Sequence, residues 1–142
     1  MKRLGFLTAG LGAALMLGGC AYGDRSVDQN ALTPQQLAVL DRELGGKVAG
    51  EPVSCIPTTI ANDLVRVSDN ILLYRAGRNL VYKNELPGPG CPGLARDNDI
   101  IVSDVRGPGP CRGDILRLVD RGSGIGGGSC VLGSFVPYRT PN

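Results

Sequence analysis

The chain contains no histidine and no tryptophan, and it has only two phenylalanines. Without histidine it cannot form the Ser-His-Asp or Cys-His arrangements that activate a nucleophile. The shortage of large aromatic side chains predicts a modest hydrophobic core, because these residues bury the most apolar surface. A domain with a modest core benefits from covalent cross-links.

An excess of charge is also absent once the N-terminus is set aside. The net charge of +2 comes from Lys2 and Arg3, and the other thirteen basic residues are matched by thirteen acidic ones. The sequence therefore offers no basic patch for nucleic acid and no acidic block for a charged tail. We expect no nucleic-acid partner.

The N-terminal segment is typical of a secretory signal peptide. Two basic residues precede Leu4–Leu17, an apolar run in which Thr8 is the only polar residue. This run is shorter than the ~20 residues that a membrane-spanning helix needs. We expect export from the cytoplasm.

The end of this segment, Leu17-Gly18-Gly19-Cys20, resembles the lipobox of bacterial lipoproteins. The resemblance implies a signal peptide over 1–19, a lipidated Cys20, and a tether over 20–32. Three acyl chains would make the membrane anchor effectively irreversible. Ala21 replaces the aspartate that retains some lipoproteins in the inner membrane, so we expect the outer membrane, on its periplasmic side. A plain signal peptide followed by a chance cysteine is the alternative.

The remaining cysteines predict two disulfides, because an even number in an oxidising compartment usually pairs. They are Cys55, Cys91, Cys111 and Cys130. A zinc site usually needs closely spaced pairs, which these are not, so we expect no metal and no cofactor. Three pairings are possible. We favour the nested one, Cys91–Cys111 inside Cys55–Cys130, because the first and last strands of closed β domains often lie side by side.

Residues 33–45 predict an amphipathic α-helix. Thr33 suits the N-cap, Pro34 the first helical position, and Gln36 completes a capping box. One face carries Leu37, Leu40 and Leu44. Because a helix this short is marginal alone, we expect that face to pack against its own domain, with 46–52 as a linker.

Residues 53–138 predict a mainly β domain, a small antiparallel barrel or sandwich that follows the one short helix. Short extended segments alternate there with turn residues. The predicted strands are 63–68, 71–75, 80–83, 100–105, 115–119 and 130–136, with 53–59 as a possible first strand. Residues 139–142 form a tail.

Two motifs indicate turns rather than binding sites. Gly122–Gly127 matches G-x-G-x-x-G, but an extended run follows it instead of the helix that a nucleotide site requires. We interpret it as a hairpin loop and expect no nucleotide partner. Arg112-Gly113-Asp114 matches a cell-adhesion tripeptide, and the neighbouring Cys111 predicts a constrained turn.

Carboxylates are the remaining candidates for catalysis. A glycosidase needs two carboxyl groups ~5 to 9.5 Å apart. The candidates are Asp63, Asp69, Asp97, Asp99 and Asp104. Several of them lie in turn-like settings, where aspartate bonds its own backbone, and the chain has few aromatic platforms for a sugar. We expect a protein that is not an enzyme, with an envelope glycan hydrolase as the third hypothesis.

A tyrosine hairpin around the turn 76–79 is the candidate binding face, because tyrosine and arginine dominate interaction hot spots. Its residues are Tyr74, Arg75, Arg78, Tyr82 and Lys83. The alternative is a half-buried hairpin with a solvated basic rim.

The layout of 48–138 resembles an uncharacterised family of small four-cysteine secreted proteins of alphaproteobacteria. The matching stretches are Gly50–Pro57, Asp69–Arg75, Tyr82–Leu86, Cys111–Asp114 and Gly128–Tyr138. The resemblance implies one domain and no particular chemistry. We therefore expect a structural or protein-interaction module of the envelope, with an envelope protein or peptidoglycan as partner. An inhibitor of a periplasmic hydrolase such as lysozyme is the alternative, on fold analogy alone.

Overall fold

The computed structural model describes residues 31–60 and 63–141. The predicted signal peptide 1–19, Cys20 and most of the 20–32 tether lie outside this range. Within it the chain forms one α-helix, a short 3-10 turn at Thr58–Ile60, and eight strands. These elements are α1 (Pro34–Leu44), β1 (Val48–Ala49), β2 (Leu64–Arg66), β3 (Ile71–Arg75), β4 (Leu80–Glu85), β5 (Asp99–Ser103), β6 (Ile115–Asp120), β7 (Gly126–Val131) and β8 (Phe135–Arg139).

The strands form two antiparallel sheets, which confirms the mainly β fold class with one short helix. The larger sheet has the order β1-β8-β4-β3-β2, and the smaller has the order β5-β6-β7. The linker 46–52 contributes β1, and the tail 139–142 contributes the last residue of β8. The possible strand at 53–59 forms only isolated bridges at Val53 and Cys55.

The apolar run of β3 is buried on both faces of the five-stranded sheet. Leu72 and Tyr74 belong to the core that this sheet shares with the three-stranded one, alongside Leu116 and Leu118 of β6. The alternate residues of β3 pack on the other side against the helix. That second cluster contains Val67, Ile71, Leu73 and Val81, with Leu32, Val39, Leu40 and Leu44 against it. The domain therefore has three layers: helix, five-stranded sheet and three-stranded sheet.

Helix α1 starts as its sequence predicts. The Gln36 N–H donates to Thr33 Oγ1 at 3.3 Å, and the Thr33 N–H donates to Gln36 Oε1 at 2.8 Å. The expected face is shifted, however. Leu37 is 53% exposed, and Val39 packs against the sheet in its place. The helix nevertheless packs on its own domain, as expected.

The predicted strand 130–136 is wrong as a single element, because the chain changes sheets within it. β7 ends at Val131 and β8 begins at Phe135. Between them, the buried Asn84 side chain donates to the Gly133 C=O at 2.8 Å and accepts from the Gly133 N–H at 3.0 Å. A Cβ at residue 133 would lie 2.0 Å from the Glu85 carbonyl oxygen, so glycine is required for this close approach.

The nested disulfide pairing is also wrong. The bonds are Cys55–Cys111 and Cys91–Cys130. Cys130 lies in β7 with its side chain in the shared core, where Cys91 is fully buried. The first and last strands do lie side by side, as β1 against β8, but neither carries a cysteine.

Cys55 instead meets the proline- and glycine-rich loop that precedes Cys111. The Ile56 N–H donates to the Pro110 C=O at 3.0 Å, and the two cysteines form an antiparallel bridge. Gly109 allows this contact, because a Cβ there would lie 2.0 Å from the Ile56 carbonyl oxygen. The loop is therefore fixed against the segment around Cys55 rather than against Cys91.

Candidate functional site

The structure divides the predicted tyrosine hairpin between two faces of the five-stranded sheet. Tyr74 and Tyr82 lie directly opposite each other and face the shared core. Tyr74 is 3% exposed and stacks edge-to-face on Phe135, with ring centroids 5.5 Å apart, and its burial raises the pKa of the phenol. Tyr74 is therefore a core residue and cannot contact a partner.

Arg75 points to the opposite face, where it joins the sheet to the helix. Its Nη2 and Nε bond the two carboxylate oxygens of Glu43 at 2.6 and 2.8 Å. Asp63 accepts from Nη1 at 3.2 Å. The bond from Arg75 and a weaker one from Arg42 lower the pKa of the nearly buried Glu43 to about 2. Arg75 thus holds α1 in place through a bidentate ion pair.

The other two residues of the predicted face do not complete a site. Lys83 pairs with Glu85 on the helix-facing side, and Arg78 is exposed in the turn between β3 and β4. Because successive residues of a strand face opposite sides, the adjacent pair Tyr74 and Arg75 could not have served one surface. The alternation of side chains along a strand therefore already predicts that Tyr74 and Arg75 lie on different faces.

The outer face of the three-stranded sheet is apolar and exposed to solvent, and it was not predicted from the sequence. Four of its side chains are between 37% and 44% exposed: Ile100, Val102, Ile115 and Val131. Strand pairing places them together, because Ile115 is opposite Val131, and Ile100 is opposite Val119 on the same face. We call these four residues, with Val119, the outer apolar face.

One ion pair crosses this face. Arg117 of β6 lies opposite Val102 and Ser129 in the register of the sheet. Its Nη2 lies 3.0 Å from Asp104 Oδ2. Since the side chains of Arg117 and Asp104 are 61% and 43% exposed, water screens the pair and it contributes little to stability. The face is thus an apolar surface with one neutralised polar contact near its centre.

The signal for this face was present in β6. Ile115, Arg117 and Val119 alternate with the buried Leu116 and Leu118. A strand with one solvated side usually carries polar residues at all of its outward positions, yet here two of the three are β-branched and apolar. Apolar residues on both sides of a strand therefore indicated a second surface.

The two motifs assigned to turns form turns. In the Arg112–Asp114 turn, Asp114 Oδ2 accepts the Cys111 N–H at 2.8 Å, and Gly113 has a φ of +93°. Gly122–Gly127 lies in the β6–β7 hairpin, where Asp120 accepts bonds from Gly122 and Ser123. Those bonds lower the pKa of Asp120. The last residues of the motif already belong to β7 rather than to a loop.

Three of the carboxylates considered for catalysis form ion pairs or hydrogen bonds within the domain. Asp63 binds Arg75, Asp104 binds Arg117, and Asp69 accepts the Ala95 N–H at 3.1 Å. Nothing in residues 31–60 and 63–141 indicates catalysis. Over the same residues, no group of cysteine and acidic side chains is arranged to hold a metal.

In the part of the chain that the structure describes, no helix is long and apolar enough to cross a membrane.

The chain matches no protein-family model, no curated protein and no solved structure.

Proposed function

We propose that this protein is a lipid-anchored, non-enzymatic interaction module of the bacterial envelope, which binds another envelope protein through the outer apolar face. The exposure of Ile100, Val102, Ile115 and Val131 on one side of one sheet carries the proposal. Contiguous exposed apolar patches are uncommon on monomeric proteins and mark interaction sites.

The chemistry of the face favours a protein partner. A glycan would need aromatic platforms, but this surface consists of aliphatic side chains around the Arg117–Asp104 pair. Nucleic acid would need unpaired basic residues. An aliphatic surface with little free charge matches the apolar centre of a protein interface. The partner should therefore present β-branched or other apolar side chains of its own.

Photo-crosslinking in the native cell tests this proposal. A photoreactive side chain at Val131, on the outer apolar face, should capture one envelope protein, and the reciprocal experiment from that protein should recover this chain. Val102→Asp should abolish the crosslink, because it adds a charge that an apolar partner would have to bury. Leu37→Asp is the matched control, since Leu37 is also an exposed apolar residue, at 53% against 43% for Val102, and lies on α1.

Two outcomes would contradict the proposal. Equal loss of the crosslink in Val102→Asp and Leu37→Asp would show that the outer apolar face has no special role. Turnover of peptidoglycan fragments would replace an interaction role with an enzymatic one. Inhibition of a lysozyme panel, lost in Val102→Asp, would instead identify the partner as a hydrolase.

The anchor is tested separately. Labelling of the full chain with radioactive palmitate should disappear in Cys20→Ser if the lipobox is processed. Persistent labelling would contradict the lipoprotein part of the proposal and leave the interaction face unaffected.

A further inference from the structure

Four strands form the edges of the two sheets, and β5 differs from the other three. β1 has two residues and β2 has three, and β7 carries a register shift against β6. Short strands and bulges are the usual protections of a sheet edge. β5 has five residues in regular register along its whole length, so it presents a long and regular open edge.

The register shows which backbone groups of β5 are open. The Asp104 N–H donates to the Ile115 C=O at 3.0 Å, and the Asn98 C=O accepts the Arg121 N–H at 3.2 Å. Residues of an antiparallel strand alternate between bonding toward the neighbour and away from it. Asp99, Ile101 and Ser103 therefore direct their N–H and C=O groups away from β6. Among the described residues, only the Asp99 C=O has a partner there, the Arg66 guanidinium at 2.6 Å.

We propose that the β5 edge pairs with the β5 edge of a second copy of this chain, antiparallel and with the two-fold axis at Ile101. The outward-directed groups are symmetric about that residue. Ile101 bonds its own counterpart twice, and the Asp99 N–H of one copy meets the open Ser103 C=O of the other. The Ser103 N–H meets the Asp99 C=O, whose second lone pair remains after the bond from Arg66. A symmetric pair of identical surfaces is the commonest form of protein assembly.

The charges around the strand agree with an antiparallel pair. Asp97 and Asp99 lie at its start, and Arg106 follows its end. With the axis at Ile101, Arg106 of one copy comes level with Arg96 and next to Asp97 of the other. The Arg96 side chain, which also lies at the start, folds back against Gly93, and Asp104 at the end is neutralised by Arg117.

The pairing should be weak in free solution and stronger on a membrane. Two five-residue strands bury much less than the ~1,600 Å² of a standard protein interface. Confinement of both copies to one surface raises their effective concentration without a new contact. This inference concerns the backbone edge, so it does not depend on which protein the outer apolar face binds.

Sedimentation equilibrium of the detergent-solubilised full chain, from micromolar to millimolar concentration, tests the proposal. We expect a reversible monomer–dimer equilibrium, together with concentration-dependent protection of the Ile101 and Ser103 amides from hydrogen exchange. Ser103→Pro should weaken the dimer at least tenfold, because it removes an outward N–H without breaking the β5–β6 ladder. The substitution removes no side-chain hydrogen bond, since Ser103 Oγ has no partner among the described residues.

A charge-pair series makes the test specific for this register, in which Ile100 of one copy faces Val102 of the other. Ile100→Lys with Val102→Lys should weaken the dimer at least tenfold by repulsion, whereas Ile100→Lys with Val102→Glu should restore it. Both double variants disrupt the outer apolar face, so a dimer retained only by the Lys/Glu variant separates edge pairing from partner binding.

Three results would overturn the proposal: a monomer throughout the concentration range, a dimer that Ser103→Pro and the Lys/Lys variant leave unchanged, or equal weakening in the Lys/Lys and Lys/Glu variants. The last result would indicate contact through the faces of the sheets instead of their edges. If Ser103→Pro prevents folding, as judged by its disulfides and circular dichroism, the charge-pair series decides alone.

Discussion

The two sheets of this domain differ in how many of their faces are covered. The five-stranded sheet is covered on both faces, by α1 on one side and by the three-stranded sheet on the other. The three-stranded sheet is covered on one face only. β3 accordingly has four consecutive buried residues, Ile71–Tyr74, whereas β6 alternates between the buried Leu116 and Leu118 and solvated neighbours.

The difference in coverage separates apolar residues that stabilise the fold by being buried from apolar residues that stay exposed and contribute little to stability. A buried Leu, Ile or Phe stabilises the folded state by ~1.5 to 3 kcal/mol through removal from water. Folding removes the side chains of Ile100 and Val102 from water only in part, although they belong to the same class of side chain. Substitutions in the two regions should therefore differ most in their effect on stability.

The largest effect is expected where the sheets meet. Phe135 is fully buried in the shared core and stacks on Tyr74. Phe135→Ala should lower the free energy of unfolding by about 3–5 kcal/mol, the usual cost of such a truncation. Val131→Ala, four residues earlier on the outer apolar face, should lower it by less than ~1 kcal/mol. Urea denaturation followed by circular dichroism measures both, and similar losses would contradict the distinction between the two regions.

The next effect concerns the crossover between the sheets. Asn84→Ala leaves the Gly133 N–H and C=O without their partner in a buried setting. At 1–3 kcal/mol for an unsatisfied buried group, we expect a loss of about 2–3 kcal/mol. Asn98→Ala is the control, because its exposed amide makes one bond to Asp120. An equal effect of the two substitutions in urea denaturation would show that the Asn84 contact does not hold the crossover.

This crossover also explains which part of the fold could be predicted from the sequence. Local signals succeeded: the Thr33 capping box, the β3 and β4 strands and the turn at Gly113 depend on neighbouring residues. The sheet change near Gly133 depends on a contact with Asn84, 49 positions away. Because it was missed, Cys130 was placed in the last strand of the domain, and the disulfide pairing was wrong with it.

The candidate site was less predictable than the fold. Tyr74 and Arg75 were grouped because they are adjacent and chemically suited to binding, although a strand places them on opposite faces. The outer apolar face comes from three strands whose register the sequence does not specify. Pattern alone shows that β6 has apolar residues on both sides, but it cannot say which side remains open.

The ion pair between helix and sheet gives a smaller, pH-dependent effect. Glu43→Gln should cost about 1–2 kcal/mol at neutral pH, less than the 3–5 kcal/mol of a fully buried pair, because Arg75 is 37% exposed. The pKa of Glu43 is lowered from 4.5 to about 2 on folding. The contribution of ionised Glu43 to the free energy of unfolding is therefore complete above pH 4.5 and is lost as the pH falls toward 2.

Urea denaturation of the wild type and Glu43→Gln at several pH values measures this contribution. The difference between the two proteins should be constant above pH 4.5 and vanish near pH 2. Glu85→Gln is the control, since Glu85 is exposed and pairs with Lys83 near the surface. A difference that persists at the acidic end would assign the effect of Glu43 to packing rather than to charge.

The smallest effect is expected on the outer apolar face itself. Ile100→Thr and Val102→Thr keep a β-branched side chain and remove only partly exposed carbon atoms, so each should change the free energy of unfolding by less than ~0.5 kcal/mol. Dilute protein is required for this measurement, because at high concentration the adjoining β5 edge would be paired with a second copy. A loss above ~1 kcal/mol in dilute protein would mean that these side chains are already buried in the isolated chain. The distinction between a covered and an open sheet would then be wrong.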